Sequence, residues 1–320
     1  MAVVQRPSVF YERDETLRQA VASIDEAVAG GAQLIVFPET YVPGYPEWVW
    51  RIAPDRYDLH GPIFARLLEN AVDLARGDLQ PLQEAARRHG VAVVCGIDEL
   101  NSEFSRTTMY NTLVTIGTDG AILNRHRKLM PTNPERMIWG IGDGSGLRVV
   151  DTPSGRLGGL ICWENYMPLA RYALYAQGIE VYVALTWDEG PVWLATMQHI
   201  AAEGRCWVIG SGSCIHSSDI PAAFPFRTEV YPEETWINPG DSVIVAPGGK
   251  IVAGPLHEQK DILYADCNPA DAAAARRTLD AAGHYSRPDV FELRVNRRTQ
   301  QPAEFDGEGY PPKAESAEVP

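Results

Sequence analysis

The chain has 320 residues, 45% hydrophobic and 22% charged, enough apolar material to cover both faces of a sheet, which excludes a wholly disordered chain. Its formal net charge of -14, with no local run of Lys or Arg, argues against nucleic acid or anionic lipid as partners. No stretch approaches the ~18 apolar residues of a membrane span, no basic segment leads into an apolar core at the N-terminus, and the 5 cysteines form no C-x-x-C pair; the expectation is a cytoplasmic protein without membrane association, disulfide framework or zinc knuckle.

In chain order, residues 2–4 read as the end of a short strand, and Leu17, Val21, Ile24 and Val28 recur at helical spacing until Gly30-Gly31 stops them. The apolar run 34–37 has strand length and terminates at Pro38, which puts Glu39 just past a strand end. A helix over 79–88 closed by Gly90, a strand over 91–95 and two strands flanking Thr118-Asp119-Gly120 follow. The second half repeats the alternation: strand 157–161, helix 165–177 with Pro168 in its first turn, strand 181–185, helix 195–204, and strands 207–211, 241–246 and 251–253. Such alternation predicts a layered α/β domain. The glycine-rich stretch 140–146 does not match a dinucleotide fingerprint and reads as a loop. From Gln301 the chain is rich in Pro, Glu and Gly; the reading is one domain over 1–295 and an extended or disordered tail over 296–320.

Three polar residues stand where apolar strands run out: Glu39, Lys128 and Cys162. Side chains at strand ends can converge on one rim of an α/β sheet, where ligands usually bind, although they are far apart in sequence. Cys162 also precedes the expected 165–177 helix, whose N-terminal partial charge, together with a nearby lysine, is expected to favour thiolate over thiol. A thiol nucleophile, a carboxylate base and an ammonium form a set for covalent catalysis. Each residue alone has a structural explanation: a buried apolar cysteine, a capping carboxylate, a strand-end charge. Tyr45, Trp48, Trp163, Trp187 and Trp193 cluster near these positions; Trp163, Trp187 and Tyr45 are expected to line a substrate pocket, the others to serve the core. His126 is expected to act as a structural donor, and His284 and Tyr285 in packing or subunit contact. No G-x-S-x-G elbow or H-E-x-x-H helix is present to support a serine hydrolase or zinc peptidase.

The segments FPET (37–40) with YVPGYPEW (41–48), RHRKLMPTNPERMIWGIGDG (125–144) and GGLICWENYMPLARYALYAQG (158–178) resemble, in order, the three signature blocks of the nitrilase superfamily. The resemblance continues through VALTWDEG (183–190), HIAAEGRCWVIG (199–210), IVAGPL (251–256) and ARRTLDAAGHYSRPDVFELRV (275–295), and so covers nearly the whole chain. It implies a four-layer α-β-β-α sandwich, with Glu39 as general base, Lys128 stabilising the tetrahedral species, Cys162 as nucleophile and Glu135 orienting substrate and lysine. No cofactor or metal is called for. The residues after the cysteine, C-W-E-N-Y-M-P, look like the nitrilase branch proper, which favours nitriles over amides. It further implies a homodimer or larger spiral homo-oligomer. The rival readings are an amidase or cyanide-hydrolysing enzyme with the same three residues, and a catalytically silent scaffold.

Overall fold

The structure, a computed structural model, describes residues 1–303. In chain order the elements are β1 (Ala2–Gln5), α1 (Arg13–Ala29), β2 (Leu34–Val36), α2 (Tyr57–Asn70), α3 (Gln80–His89), β3 (Ala92–Leu100), β4 (Met109–Ile116) and β5 (Ile122–Arg127). There follow β6 (Val150–Thr152), β7 (Gly155–Ile161), α4 (Pro168–Tyr175), β8 (Val181–Thr186), α5 (Gly190–Gly204), β9 (Trp207–Gly212) and β10 (Cys214–His216). Then come α6 (Arg227–Val230), β11 (Trp236–Val245), β12 (Ile251–His257), β13 (Asp261–Tyr264) and α7 (Ala270–Arg276). The expected tail over 296–320 lies largely on residues 304–320, outside the described residues.

Two sheets form. One has the order β13-β1-β2-β3-β4-β5; the other runs β10-β11-β9-β8-β7-β6, with β12 paired to β11. Because side chains alternate across a strand, each buried strand serves two interfaces. Val3, Leu34, Val36, Val94 and Leu113 face Leu157, Ile161, Val183, Leu185 and Ile209 in the core between the sheets. The intervening residues of the first sheet, Val4, Ile35, Val93 and Cys95, pack on Leu17, Ala20 and Ile24 of α1 and Leu82 and Ala86 of α3. Those of the second, Leu160, Tyr182, Ala184 and Val208, pack on Leu174 of α4 and Trp193, Met197 and Ile200 of α5. The result is the expected α-β-β-α sandwich.

Direction decides where strands end. β1, β2 and β3 are mutually parallel, and β5 runs with them because it is antiparallel to β4, itself antiparallel to β3. β7, β8 and β9 are parallel in the other sheet. A further apolar cluster, including Tyr11, Tyr45, Trp48, Ile63 and Leu67 of α2, Trp139 and Tyr231, has Trp187 packed against it. The helix expected over 165–177 is shorter than its sequence pattern suggested. A 3-10 turn, Cys162–Tyr166, comes first, and α4 begins only at Pro168, whose missing N–H costs nothing at the first helical position.

Candidate active site

Each of the three strand-end residues is delivered by a local device. Beyond β2, the Phe37 N–H donates to the Val94 carbonyl at 2.8 Å and the Gly96 N–H to the Pro38 carbonyl at 3.1 Å, laying the Glu39 segment along β3. A Cβ on Gly96 would sit 2.3 Å from that Pro38 oxygen, so only glycine permits the approach. Lys128 continues β5, its N–H donating to Asn111 at 2.8 Å, and Gly142 of the glycine-rich loop donates to the Lys128 carbonyl at 2.8 Å. A Cβ on Gly142 would meet the Arg127 oxygen at 2.2 Å, so this position of the loop requires glycine.

Cys162 occupies a sharp elbow at the end of β7, with φ of 50°, a left-handed conformation that costs a non-glycine residue about 1 to 3 kcal/mol. Its neighbours hold it there. The buried Glu164 carboxylate accepts from the N–H groups of Ile161 and Leu129, each at 2.7 Å, and contacts His126 Nε2 at 3.0 Å. Asn165 Nδ2 donates to the Cys162 carbonyl at 2.7 Å, and Tyr182 OH donates to Asn165 Oδ1 at 2.7 Å. Glu164 thus ties the cysteine elbow to the lysine strand end.

At the centre, Lys128 Nζ lies 2.8 Å from Glu39 Oε1 and 2.8 Å from Glu135 Oε2, with all three side chains essentially inaccessible. One ligand atom from each of Glu39, Glu135 and Cys162 lies within 4.8 Å of the other two. Such a group could hold a metal, but the cation it surrounds is the lysine ammonium, which takes an oxygen from each carboxylate. Asn111 Nδ2 donates to Glu39 Oε1 at 2.6 Å and the Trp187 N–H to Glu39 Oε2 at 2.6 Å. Glu135 accepts from Tyr45 OH and from the Thr132 N–H, both at 2.6 Å.

Burial raises the Glu39 carboxyl above the ordinary glutamate value, opposed by Lys128. Burial alone would lower Lys128, but the carboxylates of Glu39 and Glu135 outweigh it, so the ammonium is held charged. The thiol departs from expectation. Burial, then the Glu39 carboxylate, push Cys162 up against the pull of Lys128. Cys162 therefore rests as a thiol, and a base must remove its proton during attack.

A cavity of about 230 Å³ opens onto this cluster. Its lining includes Cys162, Glu135, Tyr45, Trp163 and Trp187, together with Trp50, Ile237 and Asn238, which the sequence did not single out. Tyr45 and Trp187 stack with ring centroids 4.1 Å apart. Trp48 and Trp193 are fully buried in the core. His126 contacts Glu164 as a structural group, and Tyr285 is 64% exposed. Asn111, like Glu164 and Asn165, is a further polar residue sequence reasoning missed; a lone asparagine within a strand carries no signal.

An acid, an ammonium and a thiol gathered on the rim of an α-β-β-α sandwich define a cysteine hydrolase class of site. The sequence profile of the carbon-nitrogen hydrolase family matches residues 1–277. The chain is 38% identical over 320 residues to a bifunctional nitrilase/nitrile hydratase of Nicotiana tabacum, covering 98% of this chain and 90% of that protein. It is 40% identical over 302 residues to a nitrilase of Bradyrhizobium diazoefficiens, covering 94% and 92%. Among solved structures, a carbon-nitrogen hydrolase of Helicobacter pylori superposes with a TM-score of 0.69 at 18% identity, covering 90% of this chain and 95% of that one. Nit3 of Saccharomyces cerevisiae gives 0.66 at 19%, covering 89% and 95%. The chain belongs to the carbon-nitrogen hydrolase family, the nitrilase superfamily, on its nitrilase branch.

Proposed function

We propose that this protein is a nitrilase in which Cys162 is the nucleophile, Glu39 the general base, Lys128 the electrostatic stabiliser and Glu135 the residue that orients the lysine. The observation that carries the reading is the meeting of thiol and two lysine-bridged carboxylates within 4.8 Å beside a cavity of substrate size, in a chain with nitrilase relatives. The sulfur attacks the nitrile carbon while Glu39 takes the thiol proton and passes it to nitrogen, giving a thioimidate. Water adds with Glu39 as base, and Lys128 with the Trp163 N–H stabilises the tetrahedral intermediate. Breaking the C–N bond releases ammonia and leaves a thioester, which a second water cleaves to acid and free thiol. If the intermediate expels the sulfur instead, amide leaves, an outcome favoured as a side path by the bifunctional name of the Nicotiana relative. Measuring ammonia, acid and amide from one panel of nitriles and amides tests the reading; turnover of amides with none of nitriles would make the protein an amidase.

Glu39 must be ionised to accept the proton, and burial raises its affinity for one. The acid limb of kcat/KM is therefore expected above the ~4.3 of an ordinary glutamate, as an apparent value belonging to the coupled cluster. A pH series that keeps full kcat/KM down to about pH 4.3 would contradict this.

Trp163, Trp187 and Tyr45 support a preference for aryl or arylaliphatic nitriles. The lining also carries Glu47, Glu135, Asp188 and Glu189 and, among the described residues, no Lys or Arg. Glu135 is paired with Lys128 and Glu47 with Arg51, so a nitrile bearing a carboxylate is expected to be turned over roughly tenfold less efficiently than its neutral ester because Asp188 and Glu189, without an ion-pair partner among the described residues, together contribute on the order of 1 kcal/mol of repulsion across a half-solvated pocket. Matched kcat/KM values in low and high salt check this. We also propose one hydrolase domain over 1–295, a cytoplasmic location and a homo-oligomer; among the described residues no helix is long and apolar enough to cross a membrane.

A further inference from the structure

We propose that Asn238 is a positioning residue that aims the backbone of Trp187 at Glu39; the inference rests on the catalytic role given to Glu39 above. Trp187 is the first residue beyond the ladder between β8 and β9, whose last pair is Thr186 with Gly212. Among the described residues no sheet partner fixes it, yet it bonds Glu39 directly and reaches Glu135 through Tyr45. Its N–H donates to Glu39 Oε2 at 2.6 Å, and its ring stacks on Tyr45, whose hydroxyl donates to Glu135 Oε1 at 2.6 Å.

The restraint comes from the neighbouring strand. Asn238, on β11 and 2% exposed, donates from Nδ2 to the Trp187 carbonyl at 2.6 Å. Its Oδ1 accepts from the Gly240 N–H at 3.0 Å, so the amide cannot turn without losing one bond or the other. Lys128 and Asn111 both bind Oε1 of Glu39; among the described residues Trp187 supplies the one N–H bonded to Oε2. If the Trp187 backbone drifts, that oxygen loses its donor. The carboxylate then holds a proton more tightly and no longer keeps one orientation toward the sulfur.

The test uses Asn238→Leu, which removes both bonds at similar volume, and Asn238→Asp, which keeps the acceptor for Gly240 but not the donor. Both are compared with wild type for kcat, KM and the pH dependence of kcat/KM, and for the pH dependence of Cys162 alkylation by iodoacetamide, which needs no nitrile. Expected is a fall in kcat of about 10- to 100-fold with KM changed by less than about threefold, and an acid limb moved upward by about half a unit or more in both profiles. Should the leucine protein not fold, the aspartate protein decides. A folded variant with kcat and acid limbs near wild type overturns the proposal, as does a loss confined to KM, which would make Asn238 a substrate contact. Wild-type protein that leaves every nitrile untouched would sink the nitrilase reading instead, and the alkylation profiles would still judge Asn238.

Discussion

Cys162→Ala is expected to release no ammonia above the uncatalysed background from any nitrile, while circular dichroism and melting temperature stay close to wild type. The elbow is strained at φ of 50°, but alanine and cysteine bear that strain alike, and the bonds that hold it come from Glu164 and Asn165 rather than from sulfur. The thiol itself has no substitute. An alanine methyl has no lone pair with which to form a covalent intermediate, so the reaction loses both of its lowered barriers at once. Nitrile turnover by alanine protein of confirmed purity would remove Cys162 from the chemistry. The same variant separates enzyme from scaffold: with Glu39 taking the thiol proton, wild-type protein should be alkylated by iodoacetamide at Cys162, and peptide mapping should find no label at position 162 in the variant, whatever the other free cysteines take up.

Lys128→Ala is expected to cost both activity and stability, unlike the cysteine variant. Removing the ammonium leaves the Glu39 and Glu135 carboxylates, each previously 2.8 Å from Nζ, facing one another in a dry pocket. Breaking a buried ion pair from one side destabilises by about 3 to 5 kcal/mol, because the remaining charge is left uncompensated. The variant can relieve this by protonating one carboxylate. Its stability should then depend on pH with a definite sign. A carboxyl whose folded-state value lies above its unfolded value binds more protons in the folded state, so stability falls as pH rises from the ordinary glutamate range through the raised value. Chemical denaturation at pH 5 and pH 8 should show the variant more stable at the lower pH, a steeper difference than in wild type. Turnover should fall by about three orders of magnitude or more even where the variant is fully folded, since the tetrahedral intermediate loses its cation and Glu39 is held protonated. Retention of more than a tenth of the wild-type rate by folded protein would contradict a central role for the ammonium.

The reach of sequence reasoning followed the strength of local signals. Continuous apolar runs such as 34–37 and 181–185 announced buried strands because both faces of each strand meet a core, and Gly90 marked the end of α3 because it adopts the left-handed conformation a helix stop requires. α2 escaped notice because Gly61-Pro62 reads as a break, although Leu59, Ile63 and Leu67 carry a helical stripe through it. β3 extends five residues beyond the expected 91–95, since Asp98 and Glu99 are polar yet buried by tertiary partners: Trp139 donates to Asp98 at 2.6 Å, and Arg127 and Thr112 satisfy Glu99. The thiolate expectation failed for a similar reason. It weighed a helix terminus and a lysine, both visible in sequence, against a burial that was not.

The sequence alone determined the family, the layered class of fold and the candidates Glu39, Lys128, Cys162 and Glu135, because strand ends and motif blocks are written contiguously along the chain. Only the tertiary structure decided that the lysine is shared between two carboxylates, that the thiol rests protonated, and that Asn111 and the Trp187 N–H orient the base. Proton affinity and orientation are set by what surrounds a group in three dimensions, and those surroundings come from strands tens of residues away.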